Sequence, residues 1–192
     1  MNITNENALK LLAAAGLEKC LLRLTGVSPG TWQLAGVRIF RGTVREALRR
    51  KEEEALPSAA IRIRIKGDPT FITALLFNPE ETKYISGCFA DDSVYGELIE
   101  DQPEVTIVEI GNIVLNALAN SVLKAFDRSA IPSVPAYFRG DPGAIAQWLA
   151  AGPAVFTVIS AAFTMQRGSR SSKAEILAFL PAELADGPLP EK

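Results

Sequence analysis

The sequence contains no histidine at all. A Ser-His-Asp or Cys-His nucleophile needs an imidazole of near-neutral pKa to take up its proton, and imidazole-ligated metal centres need the ring nitrogens. Neither can be assembled from this chain. Cysteine is almost as scarce: Cys20 and Cys88 stand far apart and neither belongs to a CxxC pair, which predicts two free thiols rather than a metal site or a disulfide framework. Phosphate cradles are missing too, since GxxxxGK[ST] does not occur and no GxGxxG follows an apolar strand. There is no basic excess, with 20 Lys plus Arg against 22 Asp plus Glu and a formal net charge of −2. A chain without a broad positive field is not built to hold phosphate backbones, so nucleic-acid binding is set aside. Long apolar runs are lacking as well. The nearest, Ala150 to Phe163, is broken by Gly152, Pro153 and Ser160 and falls short of the roughly 18 to 20 residues that span a bilayer. The chain also begins without a charged-then-apolar leader. These absences predict no membrane span and a cytoplasmic location.

What the chain does have is enough apolar material for a substantial core: 48% of its 192 residues are hydrophobic, which fits one domain over 1–192. From Asn5, the residues Leu9, Leu12, Leu17, Leu21 and Leu24 recur at helical spacing up to Thr25-Gly26. Leu34 to Phe40 alternates like a half-buried strand, and Thr43 to Ala55 reads as a solvated helix or connector. In Ala59 to Lys66, Ile61, Ile63 and Ile65 alternate with Arg62, Arg64 and Lys66; that period of two is a strand. Gly67-Asp68-Pro69 turns it into a second strand, Phe71 to Phe77, and Pro79 opens a helix to about Phe89. The order then recurs: a long helical pattern over Val105 to Phe126, an extended Ser133 to Phe138, and paired strands Ala154 to Met165 and Ala174 to Leu180. Arg38 to Gly42 (RIFRG) matches Ala136 to Gly140 (AYFRG) at an offset of 98, and Phe77 to Glu81 matches Phe179 to Glu183 at an offset of 102. Two matches in the same order at nearly one offset predict a duplication, with halves at about 5–93 and 104–183 and a tail at 184–192. The expected fold class is α/β of the α+β type, a pseudo-twofold arrangement with two long helices packed on one antiparallel sheet. Trp32 and Trp148 are expected as packing anchors.

The segment richest in chemistry runs from Glu104 to Pro135, EVTIVEIGNIVLNALANSVLKAFDRSAIPSVP. Glu109 and Asn112 are three residues apart, hence on one helix face with roughly 5 to 6 Å between their Cβ atoms. Gly111 between them is expected to keep that surface free of bulk. A carboxylate can pair with a lysine or take a proton, and a carboxamide offers donor and acceptor together, as needed to hold a water in line with a phosphorus atom. Asn116 and Asn120 follow at intervals of four and are read as structural or rim residues.

This stretch resembles the signature of the CheC/CheX/FliY chemotaxis phosphatases: a Glu-x-x-Asn pair (Glu109-Ile-Gly-Asn-Ile113), a helical run, and a Pro-Ser-Val-Pro strand entry at Ile131 to Pro135. The resemblance implies a CheC-like fold. It also implies a hydrolase acting on the aspartyl phosphate of a CheY-like response-regulator receiver, with Glu109 and Asn112 as catalytic residues. No cofactor or metal belongs to this chain on that reading, Mg²⁺ staying on the receiver. A CheD-like protein is a further partner the resemblance brings in, and a non-catalytic binding module for a receiver or CheD-like protein is the alternative reading. Many CheC proteins carry a second Glu-x-x-Asn in the first helix; laid on the family's helix end, those positions fall here at Ala8 and Leu11, which lack both functional groups. The family often has small residues after the asparagine, whereas Val114, Leu115 and Asn116 follow here, bulk expected to restrict receiver docking.

Overall fold

The computed structural model describes residues 3–53, 58–90, 102–149 and 154–186. The end of the expected helix at Ala55, the boundary at Asp91 to Ser93, the start of the apolar stretch at Ala150 and most of the tail lie outside the described residues. In chain order the elements are α1 (Ile3–Val27), β1 (Thr31–Gly42), α2 (Val44–Glu53), β2 (Ser58–Lys66), β3 (Phe71–Phe77), a 3₁₀ turn (Pro79–Glu81), α3 (Thr82–Phe89), α4 (Pro103–Ala125), β4 (Ile131–Pro132), β5 (Ala136–Gly140), α5 (Pro142–Leu149), β6 (Phe156–Arg167), β7 (Arg170–Leu180) and α6 (Ala182–Ala185).

Both expected hairpins form, β2 with β3 and β6 with β7, and they join side by side through β3 and β7. Each then receives as outer neighbour a strand from the opposite half of the chain: β1 pairs with β6, while β4 and β5 pair with β2. The result is a seven-stranded antiparallel sheet in the order β1-β6-β7-β3-β2-β4, with β5 beside β4 on the same edge. The register is the same at the two edges. Gly42 faces Phe156 and Leu34 faces Phe163; Gly140 faces Ser58 and Pro132 faces Ile65, each residue lying 98 positions from its counterpart. The bulge of β1 between Leu34 and Gly36 recurs where residues 133–135 separate β4 from β5.

The alternation of apolar residues in each strand sends side chains to two faces, and both faces are covered. On one, α1 and α4 lie side by side, packing Leu9, Leu17, Leu21, Ile107, Leu115 and Leu118 against Ile61, Ile63, Phe163 and Ile176. The helices come close at Gly16, where an added Cβ would stand 1.9 Å from Ser121 Oγ. On the other face, Val44, Leu48, Ile145 and Leu149 of α2 and α5 pack on Ala60, Leu76, Val158, Leu177 and Phe179. Here the structure departs from the sequence reading. The segment at Thr43 forms a helix, one of the two expected forms, but not a wholly solvated one, because Val44 and Leu48, one turn apart, are both buried while Arg45, Glu46 and Arg49 face out. α5 was not foreseen, although Pro142 at its first turn and Asp141, whose carboxylate accepts from Ala144 N at 2.8 Å, form a helix start. Two strands are also longer than periodicity indicated, β1 opening at Thr31 and β7 at Arg170.

Trp32 and Trp148 are packing anchors. Trp32 is buried, stacks on Phe163 and donates from Nε1 to Ser28 Oγ at 2.9 Å. Trp148 stacks on Phe138 and receives the Arg62 guanidinium 4.3 Å above its ring. Both cysteines are free, and burial pushes both thiols up. α4 is long and apolar enough to cross a bilayer, but half of its apolar window is buried against the sheet and α1, the property of a core helix.

Candidate functional site on helix α4

The apolar residues of α4 recur every three to four positions, so one side of the helix is claimed by the core and the other is left over. Ile107, Ile110, Gly111, Val114, Leu115 and Leu118 are buried. On the opposite side, Glu109 and Asn120 are exposed and Asn112 and Asn116 are half-buried. Glu109 and Asn112 therefore open on one accessible face, one helical turn apart. Val105 and Ile113, at 48% and 38% exposure, lie a turn before and after Glu109, so the carboxylate is set in a partly apolar surface.

Asn116 Nδ2 donates to Asn112 Oδ1 at 2.8 Å. The bond fixes the Asn112 carboxamide with its oxygen turned along the helix, leaving its NH₂ group and the second oxygen lone pair for a ligand. Among the described residues Glu109 enters no ion pair. No group of three or more Cys, Asp or Glu side chains among them is placed to hold a metal.

Three details differ from the sequence reading. Gly111 does not clear the outer surface; it faces inward, where an added Cβ would come within 2.8 Å of Ile61 Cδ1 and Cγ2. Its smallness lets α4 sit down on β2. Val114 and Leu115 are fully buried, so their bulk fills the core and does not obstruct the face that carries Asn112. Asn116 and Asn120 also part company: Asn116 contacts Asn112, whereas Asn120 borders a separate cleft with Lys124, Asp127 and Arg128. Spacing of four was the signal for Asn116, but whether its amide meets Asn112 is a matter of rotamers.

The counterpart in the first half also shifts. α1 and α4 end 98 residues apart, at Val27 and Ala125, and at that offset the buried Leu9, Leu17 and Leu24 correspond to the buried Ile107, Leu115 and Val122. Glu109 and Asn112 then correspond to Leu11 and Ala14, not to Ala8 and Leu11. Leu11 is 70% exposed and borders a shallow cleft with Lys10, Ala14, Glu18 and the bulge at Leu34 to Val37. Neither Leu11 nor Ala14 supplies a carboxylate or a carboxamide, so the pairing of functional groups exists on α4 alone.

Two long helices against one face of an antiparallel sheet, with strands exchanged between its halves, give this protein a CheC/CheX/FliY-like α+β fold, as the residues of α4 led us to expect. The chain is similar to FliY from Thermotoga maritima, with a TM-score of 0.64 and 12% identity over 97% of this chain and 94% of that one. It is similar to the chemotaxis protein CheX from Desulfovibrio desulfuricans, with a TM-score of 0.52 and 10% identity over 90% and 99% of the two chains. FliM of a FliG-FliM complex from H. pylori aligns with a TM-score of 0.58 and 12% identity over 97% and 100%. No family model and no curated protein matches the sequence.

Proposed function

We propose that this chain is a cytoplasmic chemotaxis or two-component phosphatase that hydrolyses the aspartyl phosphate of a CheY-like receiver domain. The reading rests on one observation: Glu109 and Asn112 share an accessible face of α4, bordered by the exposed Val105 and Ile113, while Ile110 and Gly111 between them turn to the core. Phosphoryl transfer asks little covalent chemistry of a protein and depends on positioning and electrostatics. Asn112 orients the attacking water toward the phosphorus. Glu109 pairs with a cation of the receiver and holds the two surfaces in register, and exposed Val105 and Ile113 add apolar contact around it. The acyl phosphate and its Mg²⁺ come with the receiver, so no metal is required of this chain. In the reaction the P–O bond to the aspartyl oxygen breaks, the water oxygen takes its place, and the carboxylate and inorganic phosphate are released. The test is phosphate release from receivers phosphorylated with acetyl phosphate, in the presence and absence of the purified protein. Accelerated loss is expected; unchanged loss from every receiver that binds would overturn the reading.

A second reading, a non-catalytic module that binds a receiver or a CheD-like protein, is favoured by the likeness to FliM, which is found in complex with FliG. Co-elution with a receiver without faster phosphate loss is its expected outcome.

A further inference from the structure

We infer that Asn116 is a positioning residue for the site proposed above: its Nδ2 holds Asn112 Oδ1 at 2.8 Å and so sets which end of the Asn112 carboxamide meets the reacting groups. The inference rests on that functional reading. An amide has two faces of opposite character, a donor NH₂ and an acceptor oxygen, and an unrestrained Asn at a half-exposed helical position interconverts between orientations that present one or the other. The neighbour at i+4 removes this freedom. Ala at position 116 could not, and the rest of the turn cannot either, since Val114 and Leu115 point into the core and Ile113 is apolar. With its oxygen engaged by Asn116, Asn112 directs its NH₂ group outward and keeps one lone pair of Oδ1 for a hydrogen of the attacking water. Donation from Asn116 also polarises the amide, strengthening its N–H groups as donors. Asn116 itself is half-buried, and its bond to Asn112 places it behind that residue.

Three substitutions separate the possibilities. Asn116→Asp puts a carboxylate acceptor where Asn112 Oδ1 needs a donor, so Asn112 must turn its amide over. Asn116→Ala releases Asn112, and Asn116→Gln keeps the NH₂ donor on a side chain long enough to reach across one turn. Phosphate release by Asn116→Asp is expected to lose kcat on the order of tenfold to a hundredfold with KM unchanged, the usual scale for misplacing a reacting group by a fraction of its contact distance. Asn116→Ala should lie between it and the wild type, and Asn116→Gln should recover most of the rate. The activity-independent readout is the pair of Asn112 side-chain NH₂ resonances in ¹⁵N-labelled protein, assigned by their loss in Asn112→Asp; they should shift in Asn116→Asp and return in Asn116→Gln. Unmoved resonances, or full kcat in Asn116→Asp, would overturn the inference, the latter showing that Asn112 donates to position 116 rather than accepting from it. A wild type that hydrolyses no receiver while the resonances respond as expected removes the phosphatase reading instead, and with it any role for Asn116 in rate.

Discussion

Asn112 and Glu109 occupy the same helical face but should fail in different ways. An Asn→Ala change at a half-exposed helical position costs little stability and raises helix propensity. On the proposed mechanism it removes a group whose work is confined to the transition state. Asn112→Ala is therefore expected to reduce phosphate release on the order of 10² to 10⁴-fold, with the melting temperature and receiver affinity nearly unchanged. Glu109→Ala would, on the same proposal, delete an ion pair to the receiver that is present in the bound ground state as well, so KM should rise and kcat fall together. Steady-state kinetics with melting curves as control reads both, and retention of full rate by Asn112→Ala would remove the mechanism. Gly111, between them in sequence, obeys a different physics. Its added methyl group would meet the branched Ile61 side chain at 2.8 Å, and Ile61 is fully buried on β2, paired on one side with β3 and on the other with β5. Gly111→Ala should cost about 1–3 kcal/mol of stability through overpacking, measured by urea denaturation, whereas the exposed Asn120→Ala nearby should stay within about 0.5 kcal/mol of the wild type.

The helices on the second face depend on local signals at their ends. Thr43 and Glu46 form a capping box before the buried Val44 and Leu48: Glu46 Oε2 accepts from Thr43 N at 2.6 Å and from Thr43 Oγ1, while Glu46 N donates to Thr43 Oγ1 at 3.2 Å. The backbone N–H of Thr43, followed by its hydroxyl, holds the Glu46 carboxyl below the usual glutamate range. Because the folded state prefers the ionised form, this contribution is present above the unfolded pKa of about 4.3 and is lost as pH falls through the lower folded value. Thr43→Ala should destabilise the protein by about 1 kcal/mol near neutrality. The difference in melting temperature between wild type and Glu46→Gln should shrink on going from pH 6 to pH 3; a gap that stays constant over that range would contradict the capping account.

Across the whole molecule the important feature is exchange between halves. β1 has its partner in β6, and β2 has its outer partners in β4 and β5. Neither half carries the strands that complete its own sheet, and α1 needs α4 to close the first core. We therefore expect a single cooperative unfolding transition for the full chain. Residues 1–101 expressed alone would expose both edges of the β2–β3 hairpin and the inner side of α1, and should show no stable fold by circular dichroism. Mixing them with residues 102–192 should restore structure. An independently folded first half would show that the exchange is not what holds the sheet together.

Much of this was legible from residue order because it follows from local periodicity. The alternation of Ile61, Ile63 and Ile65 dictates a strand, the repeat of Leu9, Leu17 and Leu24 dictates a helix, and Glu-x-x-Asn places two polar groups on one helix face whatever the helix packs against. The family resemblance carried the fold class. What periodicity does not contain is which side of an element meets which neighbour. Thr43 onward looked solvated because charged residues outnumber Val44 and Leu48, and only the sheet's second face explains why two apolar residues suffice. Gly111 looked like a gap in the outer surface until β2 placed Ile61 beneath it. The counterpart of Glu109 on α1 came out one turn away, at Leu11 and Ala14, because the buried faces of the two helices and the strand register at both sheet edges share one offset of 98 residues. Asn116 reaches Asn112 only through the rotamers that packing leaves to both. Local order thus determined the elements and the residue types on α4, while long-range pairing decided their orientation, since the contacts that orient an element come from residues about a hundred positions away.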